Sequence, residues 1–365
     1  MERIVSCYSV FNTGNLYSDN IKRLLKEQNI ESMPIKKCLT DLKLFKECAI
    51  YNLNWYENIN SDNDVKNFFI YHSKVLILKW LKLNKKKIIY TIHNKKPHNL
   101  KSDKYSIKMM NKLCEYSDVI VGLCPDTKEV IKGLGEKYLE KFQVVYHPNY
   151  ISNYENEIKE NYREKLGIQN NDLVFLILGY ISPYKNIEIL IDIFSKVKEN
   201  NIKLLIAGKP CSDEYKKELV KKIDNNKNII TDFRYIPDEE MSSYYNTSDI
   251  VILPYNQESS LNSGAVYLSF SLKRTVICPE IGTITALMDD SFVYSYNYKD
   301  EKEHKNNLEL IISKVQNDFK ENQSIIREKG VQAYNYVDKY HSDSEISEKY
   351  GAIYSSLIND TKEIK

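Results

Sequence analysis

Short apolar runs alternate along this chain with longer stretches whose apolar positions recur every three or four residues. The first kind predicts strands buried on both faces, the second amphipathic helices. RIVSCYSV (3–10), AIYNLNWY (49–56), KKIIYTIHN (86–94), SDVIVGLC (117–124) and QVVYHPNY (143–150) read as strands. Between them SDNIKRLLKEQN, capped by Ser18 or Asp19, DVKNFFIYHSKVLILKWLKLN and DTKEVIKGL read as helices. The alternation pauses at SNYENEIKENYREKLGIQNND (152–172), a polar stretch expected to link two domains.

A second series begins with the strand LVFLILGYI and the helix IEILIDIFSKVKEN. IKLLIAG, NIITDFRY, DIVILPY and RTVICPEIG follow as strands, separated by the helices DEYKKELVKKIDN, DEEMSSYYNTS and AVYLSFSLK. A last amphipathic helix, DSEISEKYGAIYSSLIND, lines up Ile346, Tyr350, Ile353, Tyr354 and Leu357 on one stripe. Strand and helix in strict alternation predict an α/β protein with two doubly wound parallel sheets. In such sheets ligands lie beyond the carboxyl ends of the strands. The segments expected there are 179–185, 208–209, 255–264 and 281–282, with His93-Asn94 in the first half.

Three of these segments carry chemistry. LPYNQESSLNSG (253–264) runs from a strand through Glu258 and Asn262-Ser263-Gly264 to a helix start, whose unpaired N–H groups suit an anion or a hydroxyl-rich ligand. Ser and Asn also cap helices with no ligand at all, so the segment alone leaves both readings open. GYISPYKN places Lys185 beside a helix start, where its charge adds to the positive helix end and suits a diphosphate; a solvated lysine is the alternative. No G-x-x-x-x-G-K-[ST] loop is present. His93 follows a buried run and is placed to bond a sugar hydroxyl or exchange a proton, unless it is a hydrogen-bonded structural residue; His98 lies in a basic loop. Asp62-Asn63-Asp64 has the look of a metal triplet but precedes a helix, and helix-start acids explain it better.

Length and charge add bounds. The 365 residues suffice for two domains, and a net charge of +2 selects no partner. The distribution is uneven: Tyr71 to Met110 holds eleven lysines, Lys74 to Lys108, against the single acid Asp103. With Tyr and Trp interleaved and no nucleic-acid motif, the segment suits an anionic membrane surface better than nucleic acid; a solvated lysine-rich face is the alternative. Seven scattered cysteines without a C-x-x-C pair fit a reducing compartment and no zinc site. No secretory signal or bilayer-spanning run is evident, so a cytoplasmic protein, at most peripheral to the inner face of the membrane, is expected.

Taken together, LGYISPYKNIEIL, LLIAGKP, YIPDEEMSSYYNTSDIVILPY and SGAVYLSFSLKRTVICPEIG resemble the GT-B glycosyltransferases of the group-1 (family 4) type, and TIHNKKPH and VVYHPNY look like the corresponding first-half segments. The resemblance rests on residues 157–357. It implies two Rossmann-like domains facing a central cleft: 1–152 on the acceptor side, with 342–365 packing back on it, and 153–341 holding the donor. By the same resemblance Lys185 contacts the donor diphosphate, Glu258 binds sugar hydroxyls and His93 stands near the reacting sugar, so His93 and Glu258 are the catalytic candidates. Gly14, Asn15, Gly179, Lys185, Asn262, Ser263 and Gly264 are the donor-binding candidates. Two positions depart from the pattern: the second family glutamate falls at Val266, and the arginine before the lysine is replaced, with Ser182 in that neighbourhood. The function implied is transfer of a sugar from a nucleotide-sugar to a saccharide or lipid-linked saccharide, with no metal or other cofactor. A GT-B nucleotide-sugar epimerase and a non-catalytic sugar-nucleotide binder are the alternatives.

Overall fold

The computed structural model describes residues 3–11, 14–96, 104–154 and 160–362. His98, Lys101 and Asp103, residues 155–159 of the polar stretch and the last three residues of the chain lie outside the described residues. Two compact units emerge. Unit 1 holds residues 1–148, 258–264 and 341–365, and unit 2 holds 149–257 and 265–340.

Unit 1 is built on six strands: β1 (Ile4–Tyr8), β2 (Ile30–Pro34), β3 (Ile50–Asn54), β4 (Lys87–Ile92), β5 (Val119–Gly122) and β6 (Phe142–Val144). They pair in parallel in the order β2-β1-β3-β4-β5-β6. The chain therefore winds one way from β1 to β2 and the other way from β3 onward, leaving a switch point between β1 and β3. Strand β3 is buried at every position although two of its five residues are asparagines. Polar groups so placed must pair with one another. Asn54 Nδ2 donates to Asn52 Oδ1 (2.9 Å), and Asn52 Nδ2 donates to the Tyr354 hydroxyl (3.2 Å), which in turn meets Ser6 Oγ (3.1 Å).

The C-terminal helix Asp343–Lys362 belongs to this unit. Ile346, Tyr350, Ile353, Tyr354 and Leu357 are all buried in one core with Tyr8, Ile21 and Ile89. Arg23 pairs with Asp343 at 2.7 Å, and Gln28 Nε2 donates to Ser347 Oγ at 3.0 Å.

Unit 2 repeats the plan with β7 (Leu173–Leu178), β8 (Ile202–Ala207), β9 (Ile229–Asp232), β10 (Ile250–Ile252), β11 (Thr275–Pro279) and β12 (Tyr294–Tyr296). Their order, β12-β11-β10-β7-β8-β9, puts the switch point between β7 and β10. The Ile- and Leu-rich strands and the helices Ile187–Phe194 and Glu301–Glu321 close one apolar core.

Several expectations need correction. The first helix, Leu16–Glu27, is capped by Asn15, whose side chain accepts from Ser18 N, and not by Ser18 or Asp19. Residues 160–172, expected as part of the link, belong to unit 2: Tyr162 N donates to Thr247 Oγ1 at 2.8 Å and Arg163 pairs with Asp249 at 2.9 Å. Segment 258–264 groups with unit 1, although the expectation put it in the second domain. Strands β2 and β12 and the helices Lys104–Tyr116, Glu301–Glu321 and Ser324–Tyr340 were not anticipated.

Candidate functional site

Gly179 follows β7, at the switch point of the second sheet. Its φ is +110°, and that of Gly208, after β8, is +141°. A Cβ on Gly208 would lie 1.9 Å from the Gly179 carbonyl oxygen, so the two strand ends approach as closely as they do only because Gly208 has no side chain; at Gly179 it is the positive φ that favours glycine. Ile181 N donates to Lys209 O (2.9 Å) and Cys211 N to Ile181 O (2.8 Å), zipping the two loops together. Asn186, in the left-handed region that asparagine tolerates, donates from Nδ2 to Pro254 O at 2.8 Å and joins the ends of β7 and β10.

These contacts hold Lys185 inside the turn. Its side chain is only 6% exposed, and among the described residues no carboxylate pairs with it. Its Nζ has one long contact, 3.5 Å, to Leu178 O, and lies 3.4 Å from where a Gly179 Cβ would stand. Burial alone draws its pKa down to about 8. The Ser182 hydroxyl beside it in the chain is buried without a partner. A buried ammonium lacking a counter-ion carries an uncompensated desolvation cost that a bound anion would relieve.

A second cluster occupies the switch point of the first sheet. His93, at the carboxyl end of β4, is 6% exposed and stacks on Trp55 (centroids 3.7 Å apart, 13°), with the Tyr17 ring edge-on at 5.1 Å. Its Nε2 lies 2.9 Å from Asn54 Oδ1. Because Asn54 Nδ2 is committed to Asn52, Oδ1 is the atom that faces the ring, and an amide oxygen can only accept. His93 is therefore the Nε2–H tautomer, with Nδ1 as its basic nitrogen. Burial, and secondarily His147, hold its pKa well below the usual histidine range, so the ring is neutral at pH 7.

Segment 258–264 reaches this cluster through Asn262, whose Nδ2 donates to His93 O at 2.9 Å while its Oδ1 is buried without a partner. Lys95 N donates to Ser259 O at 3.2 Å. Glu258 is exposed in the turn before, and Ser263 is buried. Gly264 opens the helix Gly264–Ser271, in which Val266 is fully buried. Gly14, with φ +66°, and Asn15 set the start of the helix that carries Tyr17 to His93.

Among the candidates, the structure thus gathers His93 and Asn262 in unit 1 and Gly179 and Lys185 in unit 2. Asn15 is occupied as a cap. The pattern of residues did not single out Asn54, Trp55 or Tyr17; two asparagines inside a fully apolar strand were the available signal. Asn63 caps the helix Asp64–Leu83 by accepting from Val65 N and Lys66 N, which accounts for the 62–64 triplet. Among the described residues no group of three or more His, Cys, Asp or Glu side chains is placed to hold a metal.

Residues 158–260 match the profile of the family described as "Glycosyl transferases group 1". A GDP-mannose:glycolipid 4-beta-D-mannosyltransferase of Xanthomonas campestris pv. campestris is 28% identical over 115 residues, 32% of this chain and 32% of that one. A lipopolysaccharide 1,2-N-acetylglucosaminetransferase of Salmonella typhimurium is 30% identical over 176 residues, 44% of this chain and 45% of that one. The matches thus span from about a third to under half of the length of these curated relatives. Among solved structures, Anabaena Alr3699/HepE in complex with UDP superposes with a TM-score of 0.68 at 14% identity, over 97% of this chain and 100% of that one. Sucrose-phosphate synthase from Thermosynechococcus elongatus gives a TM-score of 0.73 at 12% identity, over 98% and 100%. The two parallel six-stranded sheets are those of a GT-B fold. The fold is thus that of the GT-B proteins, and the likeness to the group-1 glycosyltransferases falls on residues 158–260.

Proposed function

We propose that the protein transfers a sugar from a nucleotide-sugar donor to a saccharide or lipid-linked saccharide, as a step in building a cell-surface glycan. The observation that carries this reading is Lys185, a buried cation without a carboxylate at the β7/β10 switch point, where a ligand is expected in this topology. The relatives support it: one takes mannose from GDP-mannose to a glycolipid, another adds N-acetylglucosamine to lipopolysaccharide, and the Anabaena structure contains UDP.

In the reaction the acceptor hydroxyl attacks the anomeric carbon, the bond from that carbon to the diphosphate oxygen breaks, and the hydroxyl proton passes to the departing diphosphate. Lys185 meets the charge that grows on the diphosphate, and a fixed cation in a buried turn does so without reorganising. This assigns the leaving-group role to a side chain, and the reading includes no metal. Nδ1 of His93 faces the acceptor hydroxyl as a neutral hydrogen-bond acceptor, oriented by Asn54. Glu258 takes donor-sugar hydroxyls.

Calorimetry with UDP and GDP, run beside transfer assays, tests the assignment. Lys185→Ala is expected to weaken nucleoside-diphosphate affinity by roughly ten- to a hundredfold. Glu258→Gln is expected to lower transfer far more than nucleotide affinity, and chelation by EDTA is expected to leave transfer unchanged. Undiminished nucleotide affinity in Lys185→Ala would remove the reading.

The protein's place at a membrane belongs to the same proposal, and the structure changes which residues support it. Of the Lys74–Lys108 segment, Lys74 is spent on the carbonyls of Tyr56 (2.8 Å) and Asn58 (2.9 Å), and Lys86 is buried against Phe45 O at 2.5 Å. Lys82 and Lys87 pair with Asp118 at 2.7 and 3.7 Å. Lys79, Lys85, Lys96, Lys104 and Lys108 remain exposed. The helix Asp64–Leu83 adds an apolar side: Val65, Phe68, Phe69, Leu76, Trp80 and Leu83 are exposed, Leu83 by 82%. Most of them recur at helical spacing on one face. Large apolar side chains collected on one exposed face and edged by lysines suit an anionic bilayer surface.

Vesicles of phosphatidylcholine with and without phosphatidylglycerol are the probe. The parent should sediment with the anionic vesicles, Phe69→Ser/Leu76→Ser/Leu83→Ser should not, and Lys79→Gln/Lys85→Gln should lose roughly thirtyfold, at about 1 kcal/mol per lysine. Equal sedimentation of the triple variant would rule out the apolar face.

A further inference from the structure

The opposite end of the second sheet carries a feature that sugar transfer does not use. Asp249 immediately precedes β10 and Arg274 immediately precedes β11, so both stand at the amino ends of strands whose carboxyl ends lie toward the Lys185 side. Between these strand starts, the loop around Arg163 and the junction of the helices Glu301–Glu321 and Ser324–Tyr340 lies a crevice of about 590 Å³. Four cations, Arg163, Lys273, Arg274 and Arg327, line it against one carboxylate, Asp249.

That carboxylate is already committed. Asp249 Oδ2 accepts from Val174 N at 2.8 Å and from Arg163 Nη2 at 2.9 Å. Arg163 Nη1 is tied to the carbonyls of Gln169 (2.8 Å) and Asp172 (3.0 Å). Arg274 is anchored through Nε to Tyr245 O (2.7 Å) and Ser248 O (2.8 Å) and through Nη1 to Leu272 O (3.3 Å) and Lys273 O (3.0 Å), which leaves its Nη2 without a hydrogen bond among the described residues. Arg327 has no hydrogen-bond or ion-pair partner among the described residues. Lys273 Nζ rests over the Tyr334 ring at 4.8 Å.

Three guanidinium groups therefore line a crevice whose one carboxylate pairs with Arg163. Burial holds the Arg274 pKa below the usual arginine range; Asp249 opposes this, and the charges of Arg163 and Arg327 add to it. The wall is firm as well, since a Cβ on Gly330 would lie 2.3 Å from the Lys273 carbonyl, so the last long helix of this unit is seated directly on the turn that carries the cations.

We propose that this crevice is a second ligand site, for a small soluble polyanion of the phosphate-ester or pyrophosphate class. Guanidinium forks match tetrahedral oxyanions, and a multiply charged ligand supplies the negative charge that Asp249 alone does not. The volume falls in the range of small-molecule sites and suits a sugar phosphate or nucleotide. The amide side chains of Asn170 and Gln323 on its rim are placed for neutral parts of such a ligand.

The test is calorimetric titration of the full chain with pyrophosphate in three forms: the parent, Lys185→Ala, and Lys185→Ala with Lys273→Gln and Arg327→Gln. The Lys185→Ala background removes the proposed donor contact, so failure of the donor reading and failure of this one are separable. The background is expected to retain one pyrophosphate site, and the two further substitutions, both of exposed side chains, are expected to weaken it about tenfold or more at an unchanged melting temperature. Loss of all pyrophosphate binding in Lys185→Ala alone, or equal binding after the two substitutions, would overturn the proposal. So would phosphatidate vesicles that bind through Lys273 and Arg327 without competition from pyrophosphate, because the anion would then be a lipid headgroup.

Discussion

At the scale of single residues, two switch-point turns hold polar groups in opposite ways. Lys185 is buried with almost nothing to bond, whereas His93 is buried and oriented by a chain of partners. The chain runs from His93 through Asn54 and Asn52 to Tyr354 and Ser6. Asn54→Leu would strip the oriented acceptor from Nε2–H and leave a buried donor unpaired, at a cost of about 1–3 kcal/mol. Transfer rate is expected to fall while nucleoside-diphosphate affinity stays, since Asn54 belongs to unit 1 and Lys185, the proposed donor contact, to unit 2. A parallel loss of both would make Asn54 merely structural. Gly208→Ala is harsher in kind: its Cβ has no space beside the Gly179 carbonyl, and the loop that buries Lys185 would have to open. It should lower both melting temperature and nucleotide affinity.

At the scale of elements, legibility followed periodicity. The Ile- and Val-rich strands of both sheets could be read because a run buried on both faces has few alternatives at that length. Strand β2 (IESMP) could not: four of its five positions are half-exposed and one is proline, as suits the edge of a sheet. In the helix Lys104–Tyr116 lysines interrupt the apolar pattern, although Met109, Met110 and Leu113 are buried on its inner face. The basic segment is likewise less exposed than its composition suggests, since spacing cannot reveal that Lys74 and Lys86 turn inward to carbonyls. Lys185 was readable as a lysine before a helix, but its missing counter-ion is a tertiary fact. The C-terminal helix shows how far a stripe can carry. Its five apolar positions are all buried in unit 1, and burying a side chain of that size is worth roughly 1.5–3 kcal/mol. Deleting the chain from Ser342 onward should therefore unfold unit 1 or lower its melting temperature sharply; an unchanged melting temperature would contradict the packing.

At the scale of the whole molecule, buried titratable groups set how stability depends on pH, and they pull in two directions. His93 is held well below the usual histidine range, His147 falls to about 3, and His304 and His341 fall to about 4, in each case chiefly through burial. Their folded pKa values lie below the unfolded value near 6.5, so their contribution is fully present above that pH and is lost as pH falls toward 4. Glu57 is the opposite case: buried, with Oε2 unpartnered, it is pushed up to about 7. Its contribution is present below its unfolded value near 4.5 and is lost as pH rises through 7. Each group changes stability by at most about 1.4 kcal/mol per pH unit within its window, so between pH 6.5 and 4.5 four histidines outweigh one glutamate. The melting temperature should fall on acidification across that interval. Glu57→Gln removes the opposing contribution, and it should raise the melting temperature at pH 8 relative to the parent while making the fall below pH 6.5 steeper. Thermal melts of both proteins between pH 8 and pH 4.5 check the sign. A Glu57→Gln protein that gains stability as pH falls through 6 would mean that the histidines take up protons in the folded state, and His93 would then no longer be the neutral acceptor that the proposed transfer chemistry uses.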